Sequence, residues 1–77
     1  MAIGFVLIKT APAAEREVYD KVKDMENVME VHSLFGEYDL IIKLQAQDFN
    51  SLGQTVVDSI RSIEGVEDTK TLTGIEF

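Results

Sequence analysis

The chain has 77 residues, of which 14 are acidic and 7 are basic, giving a formal net charge of −7. This length allows one domain, residues 1–77, with a small core, and the absence of cysteine excludes both disulfides and a thiolate metal site. The acidic excess and the scattered Lys and Arg argue against direct contact with nucleic acid.

The first predicted element is a strand over Ala2–Lys9 that is apolar on both faces. Its side chains alternate, with Gly4, Val6 and Ile8 on one face and Ile3, Phe5 and Leu7 on the other. A strand of this kind is covered on both faces, but the helices of so short a chain can cover only one face of a sheet. The other face must meet something outside the chain, and we expect a homodimer formed sheet to sheet.

The same segment is the only candidate for a membrane span or a secretion signal, because Ile3–Ile8 is the longest apolar run in the chain. It is far shorter than a transmembrane helix. It also lacks the basic start and the cleavage site of a secretion signal. We therefore expect no membrane association and a cytoplasmic protein.

A helix is predicted next, with Pro12 in its first turn and Asn27 ending it in the left-handed conformation. Its apolar stripe consists of Ala14, Val18, Val22 and Met25. The charged residues between these positions are typical of a solvated helix surface.

A hairpin follows over Val28–Gln47, with a tight turn at Gly36–Asp39. Gly36 can adopt the positive φ that such a turn requires. The turn brings the carboxylates of Glu37 and Asp39 and the phenol of Tyr38 to one loop tip.

Three hypotheses apply to this loop tip. Asp39 and Glu37 could be a general acid and base, or Asp39 could hydrogen-bond the turn backbone while Glu37 is solvated. In the third hypothesis Asp39 receives the ammonium of a small ligand, and backbone N–H groups around Gly36 meet its carboxylate. We rank the last two equally and above catalysis, because no nucleophile and base accompany the carboxylates, and we predict no catalytic residue.

The second predicted helix begins after an N-cap at Asp48 and stops at Gly65. Its apolar stripe consists of Phe49, Leu52, Val56, Ile60 and Ile63. The final predicted strand is Val66–Phe77, which places Thr69, Thr71 and Thr73 on one face. These hydroxyls either cover an exposed strand or line a polar pocket at the sheet edge.

A faint internal repeat relates the two halves of the chain, since residues 26–34 align with residues 64–72. Both copies have Glu, a helix-stop residue and Val, followed by a hydroxyl residue and Leu at matching offsets. The chain is therefore predicted to be two strand-helix-strand units. With right-handed crossovers these interleave into a ferredoxin-like βαββαβ fold of the α+β class, a four-stranded antiparallel sheet with both helices on one face.

Two motifs carry a family resemblance. The turn Gly36-Glu37-Tyr38-Asp39, between two apolar strands, resembles the G-x-[YF]-D turn in the effector-binding domain of Lrp/AsnC transcription regulators. Residues 65–71, GVEDTKT, resemble the G-V-x-x-T-x-T strand of the same domain. The expected helix lies between them, so the resemblance covers essentially the whole chain. It looks like a stand-alone RAM domain (regulation of amino-acid metabolism), without the helix-turn-helix domain of DNA-binding family members.

The resemblance implies a function and an assembly. RAM domains bind free amino acids, and their sheet-paired dimers form rings, often of four or five dimers, with the effector between dimers near the turn. Such a domain would act on transcription indirectly, alone or with a full-length Lrp/AsnC regulator, and needs no cofactor. The candidate ligand-binding residues are the turn and the last-strand threonines: Gly36, Glu37, Tyr38, Asp39, Thr69, Thr71 and Thr73.

Two alternatives remain open from the sequence. Small ferredoxin-like chains also dimerise into α+β barrels that act as monooxygenases, and His32 and Tyr38 would then be the residues to suspect. The chain could also be a structural assembly domain without a ligand. Because His32 is the one histidine in the chain, we predict no metal site.

Overall fold

The structure, a computed structural model, describes residues 1–74. The strands are β1 (Ala2–Thr10), β2 (Val28–Ser33), β3 (Leu40–Ala46) and β4 (Val66–Thr73), and the helices are α1 (Glu15–Lys23) and α2 (Phe49–Thr55), the latter continued by a π-helical segment, Val56–Ile60. The predicted βαββαβ order is confirmed. The last three residues of the predicted final strand, 75–77, lie outside the described residues. No helix within residues 1–74 is long and apolar enough to cross a membrane.

The four strands form one antiparallel sheet in the order β2-β3-β1-β4. The central strands β1 and β3 pair from Ala2 opposite Ala46 to Ile8 opposite Leu40. Each strand-helix-strand unit therefore contributes one central and one edge strand, which is the predicted ferredoxin-like topology.

One face of the sheet is covered and the other is bare. The helices bury the side of β1 that carries Val6 and Ile8, both without solvent exposure. Gly4 lies on this covered side, where an added Cβ would be only 2.9 Å from Cδ2 of Leu52, so the absence of a side chain lets α2 approach the strand. Phe5 lies on the other side and is 37% exposed, so the face of β1 that carries Phe5 is the bare one. The bare face is defined by these residues of the strands: Ile3, Phe5, Leu7, Ile41 and Leu72.

The start and the end of α1 differ from the prediction. Pro12 precedes the helix in a turn in which Ala13 has φ 67° and the N–H of Ala14 donates to the Ala11 carbonyl at 3.0 Å. The helix begins only after this turn, so the placement of Pro12 in its first turn was wrong. Within residues 1–74, Ala13 is the one non-glycine residue with positive φ. The left-handed stop expected at Asn27 was therefore also wrong, because α1 has already ended at Lys23.

The second helix follows the prediction at its start. The Asp48 carboxylate accepts from the Ser51 N–H at 2.7 Å, which confirms the N-cap. The stop predicted at Gly65 was wrong, because the helical segment has already ended at Ile60. Gly65 has φ +100° in the connection to β4, and a Cβ there would lie 3.1 Å from side-chain atoms of Ala14 and Val18. Phe49 departs from the predicted apolar stripe, since it is 53% exposed while Leu52 is buried. As the first helical residue, Phe49 lies at the end of the stripe rather than over the sheet.

Candidate functional site

The turn between β2 and β3 is longer than predicted, because residues 34–39 all lie between the strands. Its base is closed by the N–H of Leu34, which donates to the Asp39 carbonyl at 2.8 Å. Gly36 has φ 144°, which confirms the predicted positive φ. Glu37 is exposed, whereas Tyr38 and Asp39 are half-buried. The turn therefore presents one solvated and one partly enclosed carboxylate.

Asp39 is held by the end of β1. Its Oδ2 accepts from the backbone N–H of Thr10 at 2.9 Å and from the Thr10 hydroxyl at 3.1 Å. Its own N–H donates to the Ile8 carbonyl at 2.9 Å. One of the hypotheses had Asp39 bonding the turn backbone, but the partner of its carboxylate is this neighbouring strand. Thr10 is only 6% exposed, and its role was missed because nothing in the local sequence indicates a contact over 29 residues.

The three threonines of β4 share a face, as predicted. Thr69, Thr71 and Thr73 lie opposite Ile8, Val6 and Gly4, on the helix-covered side of the sheet. They are spread along the strand, with Thr73 about 13 Å beyond Thr69 at the usual rise per residue. Thr69 is half-buried, and the other two are exposed at the sheet edge.

The predicted site residues are therefore not all brought together within one chain. Gly36, Glu37, Tyr38 and Asp39 lie in one turn at one end of the sheet. Thr69 is the nearest of the threonines to that end, while Thr73 pairs with Gly4 toward the opposite end. Strand β1 separates the turn from β4. Binding of a ligand by these residues stays a prediction.

Sequence reasoning also missed a small polar hollow at the start of β4. It has a volume of about 130 Å³ and is lined by Arg61, Val66, Glu67, Asp68 and Thr69. Because Val66 pairs with Thr10, and Thr10 holds Asp39, the hollow lies at the same end of the sheet as the turn. The turn precedes β3 and the hollow lies at β4, and these two strands are separated by β1. The turn and the hollow are therefore two strand-to-strand spacings apart, about 10 Å.

A charged cluster borders the bare face at the edge strand β2. Glu30 accepts a hydrogen bond from His32 at 3.1 Å and pairs with Lys43 at 3.5 Å. The hydrogen bond with His32, followed by the charge of Lys43, holds the pKa of the Glu30 carboxyl below its usual value. His32 is a surface residue of this cluster, and no group of three potential ligands within residues 1–74 could hold a metal ion.

Comparison with known proteins gives the class of this domain. Residues 3–76 match the family model described as the Lrp/AsnC ligand binding domain. This match and the fold together define a ligand-binding domain of regulatory proteins. The chain belongs to the Lrp/AsnC family.

The relatives agree with this assignment. An uncharacterised helix-turn-helix-type transcriptional regulator of Pyrococcus horikoshii is 37% identical over 72 residues, which are 90% of this chain and 48% of the regulator. The crystal structure of FFRP-DM1 has a TM-score of 0.93 at 36% identity, covering 97% of this chain and 100% of that one. The chain spans about half the length of the curated regulators it matches.

Two further similarities are more limited. A transcriptional regulator from Neisseria meningitidis, crystallised as an L-Met complex, shares the fold with a TM-score of 0.86 at 23% identity, covering 97% of this chain and 50% of the regulator. Homocitrate synthase of Sulfolobus acidocaldarius is 40% identical over 47 residues, which are 61% of this chain and 10% of the enzyme. The second match concerns a small part of that enzyme.

Proposed function

We propose that this chain binds a free amino acid at the Gly36–Asp39 turn and that binding is coupled to self-assembly. The chain belongs to a ligand-binding family. The observation that carries the proposal is that only one of the two Asp39 carboxylate oxygens is hydrogen-bonded. Thr10 holds Oδ2, while Oδ1 takes part in no hydrogen bond within the described residues. A fixed, half-buried carboxylate oxygen suits an ammonium group, and the backbone N–H groups near Gly36 suit the ligand's carboxylate.

The bare sheet face supports homodimer formation. Its centre is apolar, with Phe5, Leu7 and Ile41 in neighbouring positions on β1 and β3. Burial of such a surface against a second copy stabilises a small domain. The strand register places three basic residues on this face, Lys9, Lys43 and Lys70, and two acidic ones, Glu30 and Asp68.

These side chains give the bare face a charge of about +1 (3 − 2) in a chain whose net charge is −7. Repulsion between two copies is therefore smaller here than at the acidic helix surface. This difference favours pairing through the sheets over pairing through the helices.

In the proposed assembly, dimers associate further into rings of eight or ten chains, and the effector binds between dimers. Phe35 supports further association, because it is fully exposed at the turn beside Gly36. The acidic chain would act on transcription in the cytoplasm without touching DNA, alone or with a full-length Lrp/AsnC regulator. A ligand that binds only the assembled form stabilises it by linkage.

Thermal unfolding with a panel of amino acids tests the proposal, beginning with L-methionine. Asp39→Asn removes the charge but keeps an oxygen that can accept from Thr10, and Glu37→Gln is the matched change at the exposed carboxylate. We expect one or more amino acids to raise the unfolding temperature of the wild type and of Glu37→Gln, with a smaller rise in Asp39→Asn. No shift at millimolar concentration of any amino acid would refute amino-acid sensing.

A second candidate is control of an enzyme rather than of transcription. The similarity to a segment of homocitrate synthase favours it, because the similar segment there is part of an enzyme. Mixing this chain with a full-length Lrp/AsnC regulator and, separately, with an enzyme that carries the module distinguishes the candidates. The partner that forms a mixed assembly, as measured by light scattering, identifies the route of control.

The curated relatives that span the chain are named regulators, which favours either candidate over the monooxygenase hypothesis.

A further inference from the structure

The outer edge of β2 is open. Among the described residues, β3 is the one strand beside it in the sheet. The N–H of Leu34 donates to the Asp39 carbonyl. Because bonded and non-bonded pairs alternate along an antiparallel ladder, the backbone groups of His32 also point toward β3. Those of Val31 and Ser33 therefore point away from the sheet, where they form a template for another strand.

A groove of about 630 Å³ runs beside this edge, between β2 and α1. The half-buried side chains of Val31 and Tyr19 line it. On α1, the lining residues Glu15, Tyr19 and Lys23 follow one another at a spacing of four, so they form one row along the helix. The row has an acid at one end, a base at the other and the aromatic ring between them.

Strand β2 is complementary to itself. Glu30 and His32 flank Val31, and within one chain the His32 imidazole already bonds the Glu30 carboxylate at 3.1 Å. A second copy of β2 can run antiparallel to the first with the two Val31 residues opposite each other. The N–H of each Val31 then donates to the carbonyl of the other. Glu30 of each copy faces His32 of the other copy, which is a favourable cross-strand pair.

The row on α1 has the same symmetry. The helix packs on β2, and a two-fold rotation about Val31 brings Tyr19 toward Tyr19 of the second copy. The same rotation brings Glu15 toward Lys23 of the second copy. Helices pack about 8–10 Å apart, which is roughly two strand spacings. Two helices that each lie over the outer part of their sheet therefore come into contact when the edges pair.

We infer that the β2 edge is a contact between two copies of this chain, in which β2 pairs with β2 and the two four-stranded sheets become continuous. Two separate elements, β2 and α1, are self-complementary about one axis. This shared symmetry selects a second copy as the occupant of the groove over a segment of another protein. Arg16 also lines the groove, but it pairs with Asp20 at 3.2 Å and is not assigned a contact.

The edge contact rests on the proposed self-assembly and specifies how dimers join. Two mutual hydrogen bonds and a few exposed charge pairs contribute little free energy each, so the β2 edge does not hold two single chains together at equilibrium. A face-paired dimer carries two such edges. Weak contacts act together when they close a ring, so the edges join dimers rather than form them.

Disulfide cross-linking tests the contact, because the chain has no cysteine and an engineered one is its single thiol. Val31→Cys places two thiols opposite each other, at the Cα separation of about 5.5 Å of a bonded pair, which a disulfide spans. Val31 lies on the helix-covered side, opposite the buried Ile42, so face-to-face pairing does not bring these thiols together. Ser33→Cys is the matched control on the same face of β2, because its two copies would lie about 13 Å apart.

Charge exchange on α1 gives a second measurement that leaves the strands unchanged. Glu15→Lys places two bases opposite each other, and we expect it to weaken the association of dimers by about fivefold in light scattering. Adding Lys23→Glu to this variant restores opposite charges and should restore the association. Glu17→Lys makes the same charge change at an exposed position of α1 outside the groove lining and should have no effect. Circular dichroism confirms that each variant is folded.

Under mild oxidation we expect Val31→Cys to form a disulfide-linked pair of chains and Ser33→Cys to remain single on a non-reducing denaturing gel. Cross-linking of neither variant, or of both equally, would overturn the edge contact, as would equal effects of Glu15→Lys and Glu17→Lys. The mass of the wild type tests the proposed face pairing separately. A dimer mass without cross-linking of Val31→Cys would overturn the edge contact alone, whereas a single-chain mass with cross-linking would refute the face pairing and support the edge contact.

Discussion

Asp39 and Thr10, 29 residues apart, are joined by two hydrogen bonds to one carboxylate oxygen, at 2.9 and 3.1 Å. The bonds connect the end of β1 to the residue before β3. The candidate effector turn is therefore anchored to the central strand of the sheet, and the same side chain serves the fold and the proposed site.

The first prediction concerns this anchor. Asp39→Ala leaves the buried N–H of Thr10 without its partner, and we expect the free energy of unfolding to fall by about 1–3 kcal/mol. Urea denaturation at a fixed protein concentration measures the change. Glu37→Ala removes the neighbouring exposed carboxylate and should leave the midpoint unchanged. Equal midpoints for Asp39→Ala and the wild type would show that the anchor contributes nothing to stability.

A second prediction compares the same substitution at two glycines. Gly53→Ala places a methyl group in open space on α2 and should stabilise the domain by up to about 1 kcal/mol through helix propensity. Gly65→Ala should destabilise it, because φ is +100° and the new Cβ would lie 3.1 Å from Ala14 and Val18. Thermal unfolding of the two variants measures both effects. A loss of stability in Gly53→Ala would indicate that this position is in contact with another copy.

The third prediction concerns pH and the N-cap of α2. The backbone N–H of Ser51 donates to Asp48 and holds the pKa of that carboxyl below its ordinary value of 3.8. A group whose pKa is lower in the folded state stabilises the fold above its unfolded pKa and loses this effect as pH falls through the folded pKa. Asp48→Asn keeps an uncharged cap.

The unfolding temperature of the wild type should therefore fall more steeply than that of Asp48→Asn when pH is lowered from above 3.8 to well below it. Scanning calorimetry of both proteins across this range measures the difference. Parallel curves would show that the Asp48 charge adds nothing to the cap.

A fourth prediction tests which surface pairs two copies. Phe5→Glu places a charge in the centre of the bare face, and Val57→Glu places the same charge at an exposed apolar position, 53% accessible, outside the sheet. We expect Phe5→Glu to reduce the mass to that of a single chain, because an unpaired charge is costly to bury. Val57→Glu should keep the wild-type mass. Light scattering distinguishes the outcomes, and the reverse result would place the interface on the helices.

Much of the fold could be predicted from local patterns. The alternating apolar residues of β1 predicted a strand, and the spacing of Val18 and Val22 predicted a helix with both side chains facing the core. Both predictions were confirmed. The start of α1 was predicted wrongly because Pro12 is compatible with both a turn and a helix. In the structure the residue before Pro12 is bonded to a distant part of the chain, since the Ala11 N–H donates to the Gly65 carbonyl at 2.8 Å, and a contact of this kind has no local sequence signal.

The candidate site was predictable only in part. Gly36 was identified correctly as a residue with positive φ, because a short turn between two strands demands it. The partner of Asp39 and the hollow beside Arg61 depend on strand register and on the π-helical segment, for which the sequence has no periodic signal. The spacing of the three threonines along β4 likewise became clear only once the strand pairing was known.

The bare sheet face has a consequence for the amount of protein that a cell must make. If copies pair through this face, unfolding and dissociation are one equilibrium, and the unfolding temperature rises with protein concentration. Dilute chains would then be the first to be lost to proteases. An effector that stabilises the assembly would raise the steady-state abundance of the protein as well as its occupancy, so that its level itself reports the supply of ligand.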